Sequence, residues 1–121
     1  RALLDAGATP VLFTSRGELR CASEHEGRRL SCALAALMGR LAAAFAPDLG
    51  YLISKGGITT QTLLAGGLSL ESVQLEGQLL PGLSLVRPSG GPCSGLPILT
   101  FPGNLGGADT LWDAWQRMEA G

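Results

Sequence analysis

Tyr51-Leu52-Ile53-Ser54-Lys55-Gly56-Gly57-Ile58-Thr59-Thr60 is the stretch that decides how this chain folds. Residues 51–54 form a short apolar run that predicts a buried strand. The strand ends on a lysine and two glycines. The chain then enters a helix-like segment that Thr59 or Thr60 can cap, with Leu63 and Leu64 inward and Gly66-Gly67 closing it. Glycine has no Cβ, so backbone amides there can approach a ligand closely. A helix start adds unpaired N–H groups and partial positive charge, and the combination suits an anion, most often phosphate. Lys55 is the one lysine in the chain, against eight arginines, and brings a point charge to this turn.

The same grammar recurs further along. Pro97-Ile98-Leu99-Thr100-Phe101 predicts a strand and Gly103-Asn104-Leu105-Gly106-Gly107 a second glycine-rich turn. Asp109 can then cap a last helix with Leu111, Trp112, Trp115 and Met118 on one face. Upstream, residues 1–6 read as the end of a helix with Leu3 and Leu4 inward, stopped by Gly7. Pro10-Val11-Leu12-Phe13-Thr14 predicts another buried strand, followed by the polar loop Thr14-Ser15-Arg16-Gly17. Ser23 and Glu26 form a capping-box pattern. The long helix they open places Leu30, Ala33, Leu34, Leu37, Met38, Leu41, Ala44 and Phe45 on its inward face and ends at Pro47. Short strands are expected at 73–76 and 83–87, around the turn dipeptide Pro81-Gly82, before a Pro/Gly/Ser loop over 88–95. Alternating strands and helices predict an α/β fold: three layers, a mostly parallel sheet with helices on both faces, and right-handed crossovers, in a single domain over 1–121.

Composition narrows the function classes. The 121 residues suffice for one domain, and 45% hydrophobic content marks a globular chain. A net charge of −1 with no basic stripe gives no footprint for nucleic acid. No uninterrupted apolar run reaches the ~18 residues of a membrane span, so no membrane partner is expected. Cys21, Cys32 and Cys93 lack CxxC spacing, which speaks against a zinc site or disulfide framework; reduced thiols and a cytoplasmic setting are expected. The chain opens on Arg1 without a methionine, as a piece of something longer would. His25 has no Ser or Cys partner at triad spacing. Asp109 and Asp113, one helical turn apart, read as solvated, and the two tryptophans as core or interface.

In open α/β sheets ligands gather at the carboxyl ends of the strands. Three such ends carry candidates: Ser15 and Arg16; Lys55, Gly56, Gly57, Ile58 and Thr59; and Gly103, Asn104 and Gly106. Ser15 and Thr59 can donate hydroxyls to phosphate oxygens. Arg16 can clamp phosphate in a bidentate manner or pair with Glu18. Neither glycine turn is a Walker loop, since GxxxxGK[ST] is absent, and Gly103-x-x-Gly106 lacks the third glycine and the acidic residue of a dinucleotide fingerprint.

The series Thr14-Ser15-Arg16, Lys55-Gly56-Gly57-Ile58-Thr59, Gly77-Gln78-Leu79-Leu80-Pro81-Gly82 and Phe101-Pro102-Gly103-Asn104-Leu105-Gly106 resembles the C-terminal nucleotide-binding domain of the four-carbon acid sugar kinase family. The resemblance implies an ATP-binding domain, with Mg²⁺, of a two-domain kinase that phosphorylates a threonate, an erythronate or a 3-oxo-tetronate. Ser15, Gly56 through Thr59 and Gly103 would touch the nucleotide, and the sugar acid would sit in an N-terminal domain outside this chain. The resemblance assigns no catalytic base here. Much of the family has an acidic residue at the place of Ile58 and a Lys-Ser pair at that of Phe101-Pro102. A homo-oligomer is compatible with this reading. The alternative expectation is an interaction domain of the same fold that has lost nucleotide binding and uses the Trp112/Trp115 helix for a partner.

Overall fold

The computed structural model describes residues 2–12, 23–70, 72–90, 93–102, 107 and 109–120. Four strands, Leu52–Lys55 (β1), Val73–Leu80 (β2), Leu83–Pro88 (β3) and Ile98–Phe101 (β4), form one sheet in the order β1-β4-β3-β2. β1 runs parallel to β4, with Leu52 opposite Ile98 and Lys55 opposite Phe101. β3 is antiparallel to β4 and to β2. The domain is therefore α/β, but its sheet is mixed rather than mostly parallel. Pro81-Gly82 is the reason: a two-residue connection joins only antiparallel strands, and Gly82 takes the positive φ of 83° that the turn requires. The hairpin outgrows the expected short strands. β2 absorbs its extra length in register shifts around Gly77, whose φ of 135° suits a bulge. The strand expected over 10–14 is not formed in its described part. Pro10, Val11 and Leu12 are irregular and exposed, and Phe13 and Thr14 lie outside the described residues.

The helices begin and end where local chemistry dictates. The short helix Ala2–Asp5 (α1) closes with Gly7 at φ 82°, and the Gly7 and Ala8 amides bond back to the carbonyls of Leu4 and Leu3. Leu3 points outward instead of inward, at 58% exposure. Ser23 Oγ accepts the Glu26 amide at 3.2 Å and opens the 22-residue helix Glu24–Phe45 (α2), which a 3-10 turn over Ala46–Asp48 ends at Pro47. Helix Gly57–Thr62 (α3) continues into a π-helical segment, Leu63–Gly67. Helix Thr110–Glu119 (α4) follows β4. Asp109 occupies its N-cap without a side-chain bond; instead Thr110 Oγ1 accepts the Gly107 amide at 2.8 Å.

Two apolar clusters take alternate strand residues, as the pleat demands. Ile98 and Val86 join Ala46, Leu63, Leu68, Cys93 and Leu96, with Ala42 and Ala43 of α2 against them. Leu99, Phe101 and Leu83 join Ala114 of α4, with Ile53 and Met118 alongside. Phe101, Leu83, Ile98 and Leu99 are fully buried, each contributing about 1.5–3 kcal/mol of transfer free energy.

The inward face of α2 differs from the expected leucine stripe. Its buried residues are Ala35 and Gly39, while Leu34 and Leu37 stay 38% and 42% exposed. Backbone proximity selects the small face. A Cβ built on Gly67 would lie 2.4 Å from the Gly39 carbonyl oxygen, so only glycine lets the π-helical segment approach α2 this closely. By length and composition α2 with its following turn, Glu24–Asp48, is also long and apolar enough to cross a membrane, at mean hydropathy 1.5. Arg40 breaks the run inside it, so a count of uninterrupted apolar residues does not register it.

A polar cluster ties the N-terminal segment to α4. Tyr51 Oη and Thr9 Oγ1 both donate to Glu119 Oε1, the latter at 3.1 Å, while Trp115 Nε1 donates to Thr9 Oγ1 at 3.1 Å. Trp112 and Trp115 lie against each other, ring centroids 4.9 Å apart, with Trp112 57% exposed. Partial burial and the neighbouring Glu119 carboxylate hold the Tyr51 phenol above its ordinary value of 10.0.

Two outcomes follow. Gly67→Ala should destabilise the fold by about 1–3 kcal/mol in urea melts, because backbone must move. Gly66→Ala, whose new Cβ would meet nothing nearer than Thr62 Cγ2 at 4.0 Å, should cost far less; equal effects would contradict the tight contact. The folded state also holds the Tyr51 proton more tightly than the unfolded chain. That contribution is whole below about pH 10 and drains away as pH rises through the raised folded value. Tyr51→Phe should therefore flatten the alkaline fall in stability, and an unchanged pH profile would count against the network.

Candidate functional site

The parallel pairing of β1 and β4 brings their carboxyl ends level. At that end the Gly56 amide donates to the Phe101 carbonyl at 2.8 Å, which carries the ladder one step past the last strand residue. Gly56 has φ 108°, a conformation that side-chain-bearing residues rarely adopt, and it turns the chain straight into α3 at Gly57. The Thr60 amide bonds the Gly56 carbonyl at 3.0 Å and closes the first helical turn. By helix geometry the amides of Gly57, Ile58 and Thr59 have no intrahelical acceptor. The turn thus presents donors at the mouth of the parallel pair.

Lys55 is the exposed last residue of β1, and its Nζ stands 4.4 Å from the centroid of the Phe101 ring. The ring is 2% exposed and gives the ammonium an aromatic seat. Pleat alternation sends Ser54 the other way. Ser54 is 4% exposed, and its Oγ lies 2.8 Å from Thr60 Oγ1, which also reaches the Ser54 carbonyl at 3.4 Å. The sequence offered Thr60 only as a cap and Phe101 only as a strand residue, without the Ser54–Thr60 bond or the aromatic seat. Alternation along 52–55 gave a signal for Ser54, because a serine on the core side of a strand needs a polar partner.

The candidates from sequence divide into two groups. Lys55 and Gly56 sit together at the end of β1, with the backbone of Gly57, Ile58 and Thr59 next in line. Ser15, Arg16, Gly103, Asn104 and Gly106 lie outside the described residues. His25 is exposed, and among the described residues no group of three His, Cys, Asp or Glu side chains could hold a metal ion. Cys32 is exposed and Cys93 buried, both as free thiols.

Two hollows lie at the other end of the sheet. One of about 480 Å³ is bounded by Ala43, Pro47, Leu68, Ser69, Ser89 and Cys93. A smaller one of about 260 Å³ lies by Leu49, Gly50 and Pro97. Both border residues that precede β1 and β4, away from Lys55.

Residues 1–111 match the family described as the nucleotide-binding C-terminal domain. No protein of curated function matches the chain. Two crystal forms of a domain of unknown function (DUF1537) from Bordetella bronchiseptica, each a domain-swapped dimer with bound citrate, share the architecture. One superposes with a TM-score of 0.69 at 27% identity, covering 84% of this chain and 24% of that one. The other has a TM-score of 0.72 at 23% identity, covering 97% of this chain and 28% of that one, and at this identity speaks for the fold alone. The chain thus spans about a quarter of the length of these solved relatives. With the match running over 1–111, this chain belongs to the nucleotide-binding C-terminal domain of the four-carbon acid sugar kinase family.

Proposed function

We propose that the chain is the ATP-binding part of a kinase that transfers the γ-phosphoryl group to a four-carbon sugar acid of the threonate, erythronate or 3-oxo-tetronate type. The observation that carries this reading is the Lys55-Gly56-Gly57 turn, held against the end of β4 by the Gly56–Phe101 bond within a nucleotide-binding family. Its helix-start amides and the Lys55 ammonium suit phosphate oxygens. Ser15, Arg16, Ile58, Thr59, Gly103, Asn104 and Gly106 complete the proposed nucleotide contacts. Phosphoryl transfer of this kind rests on positioning and on neutralising charge around the γ-phosphate. Lys55 supplies charge and the turn supplies fixed donors. The donors at the turn are amides and an ammonium, which suit anionic oxygens and not a cation. A Mg²⁺ accompanying ATP would draw its ligands chiefly from phosphate oxygens and water.

The acceptor site and general base belong, in this reading, to the remainder of a two-domain parent, of which this chain is the C-terminal part. The length of the solved relatives supports it. The half-exposed Leu34 and Leu37 of α2 support it too, as apolar surface for another domain to cover. The relative's domain-swapped dimer makes a homo-oligomeric parent part of the proposal, and the free thiols suit a cytoplasmic setting.

A second reading, an interaction domain without nucleotide binding, draws on the exposed Trp112 of α4. Nucleotide titration separates the two. With ATP–Mg²⁺ at about 100-fold above Kd, unfolding free energy should rise by roughly 2.7 kcal/mol. Gly57→Val should abolish the gain, since a β-branched residue blocks close approach of the backbone to phosphate. Lys55→Ala should weaken ATP binding by about tenfold, through loss of one charge-assisted contact. No stabilisation at millimolar ATP, or Lys55→Ala indistinguishable from the parent chain, would favour the interaction domain.

A further inference from the structure

We infer that Ser54 and Thr60 are positioning residues for the phosphate turn, a role that neither the motifs nor the family description assigns to them. The inference rests on the nucleotide reading above and adds to it the device that holds the turn in shape. The two hydroxyls lie 2.8 Å apart on opposite flanks of Lys55-Gly56-Gly57, one on the strand and one on the helix. Thr60 Oγ1 lies in addition 3.4 Å from the Ser54 carbonyl. Two backbone bonds complete the set: Gly56 N to the Phe101 carbonyl at 2.8 Å and Thr60 N to the Gly56 carbonyl at 3.0 Å.

Each bond restrains a different motion. The Phe101 bond fixes the height of the turn over the parallel pair. The Thr60 amide bond fixes the start of the helix. Neither stops α3 from swinging away from β1 about Gly56, a residue with no Cβ to limit its dihedrals. The Ser54–Thr60 bond spans that hinge from strand to helix. It is buried at one end, with Ser54 4% exposed, so water competes poorly for it. A turn that binds phosphate with backbone donors loses affinity when those donors must be ordered at binding, and gains when they are already aligned. Ser54 points away from Lys55 by the strand's alternation, and Thr60 Oγ1 is bonded to it, so the pair acts through the turn and not by touching nucleotide.

The test compares ATP with adenosine on the 121-residue chain by calorimetric titration, at a temperature where circular dichroism shows each variant folded. Thr60→Val removes the hydroxyl at nearly constant volume. It should weaken ATP about tenfold, the equivalent of one hydrogen bond's alignment, and leave adenosine affinity unchanged. Thr60→Ser should restore ATP binding. Ser54→Ala should repeat the ATP-selective loss, and it carries the test if Thr60→Val does not fold. Equal weakening of ATP and adenosine, or no weakening of ATP in either variant, overturns the inference while leaving the nucleotide reading standing. Absence of ATP binding in the unmodified chain removes the nucleotide reading itself, and the inference with it.

Discussion

The parallel pairing of Leu52–Lys55 with Ile98–Phe101 is the constraint on which the rest of the structure depends. Its register puts Lys55 beside Phe101 and lets the Gly56 amide take the Phe101 carbonyl. Shifted by one residue, Lys55 would turn to the opposite face, where Ser54 is now buried, and the ammonium would lose its aromatic seat. The same pairing buries Ile98, Leu99 and Phe101 completely, so the apolar clusters and the Lys55-Gly56-Gly57 turn are set by one ladder. β3 closes the other edge of β4 by antiparallel pairing and leaves β1 at the margin of the described sheet.

A second constraint is the approach of two glycines. Gly39 and Gly67 let α2 lie nearly in backbone contact with the π-helical segment that follows α3. Helices that approach this closely do so with small residues, and the larger side chains are turned outward. The leucines of α2 are therefore available to other surfaces. The turn, α3, the π-helical segment and α2 form one continuous path of contact, so the tightness at Gly67 supports the helix that starts at the turn.

Much of this was legible in the residues. Pro81-Gly82, Ser23 with Glu26, Gly7 and Pro47 each act through local chemistry, and each ended or began an element where expected. The strands at 52–55 and 98–101 and the lysine–glycine turn between strand and helix were readable for the same reason. Other features were not. The mixed sheet has a local part, the antiparallel β2–β3 hairpin that Pro81-Gly82 dictates, and a long-range part, the antiparallel docking of β3 on β4, which periodicity does not encode. The inward face of α2 was assigned to leucines because hydrophobicity was weighed without backbone distance; the buried side carries Ala35 and Gly39, and Gly39 lies against the Gly67 backbone. Thr60 was read as a cap, whereas it bonds back to Ser54 across a turn whose shape had to be known first. Ser15, Arg16, Gly103, Asn104 and Gly106 fall outside the described residues, so their part of the site stands on the family resemblance.

The nucleotide's place in the molecule is the central claim, because the chain offers two ends to a ligand: the Lys55–Gly57 turn and the hollow of about 480 Å³ at the opposite end of the sheet. Amide chemical shifts of the ¹⁵N-labelled chain, followed during titration with ATP–Mg²⁺, distinguish them directly. Phosphate held by the turn moves the Gly56, Gly57 and Ile58 amides first and furthest. Shifts confined to Ala43, Leu68, Ser69 and Cys93, with Gly56 through Ile58 unmoved, would contradict it.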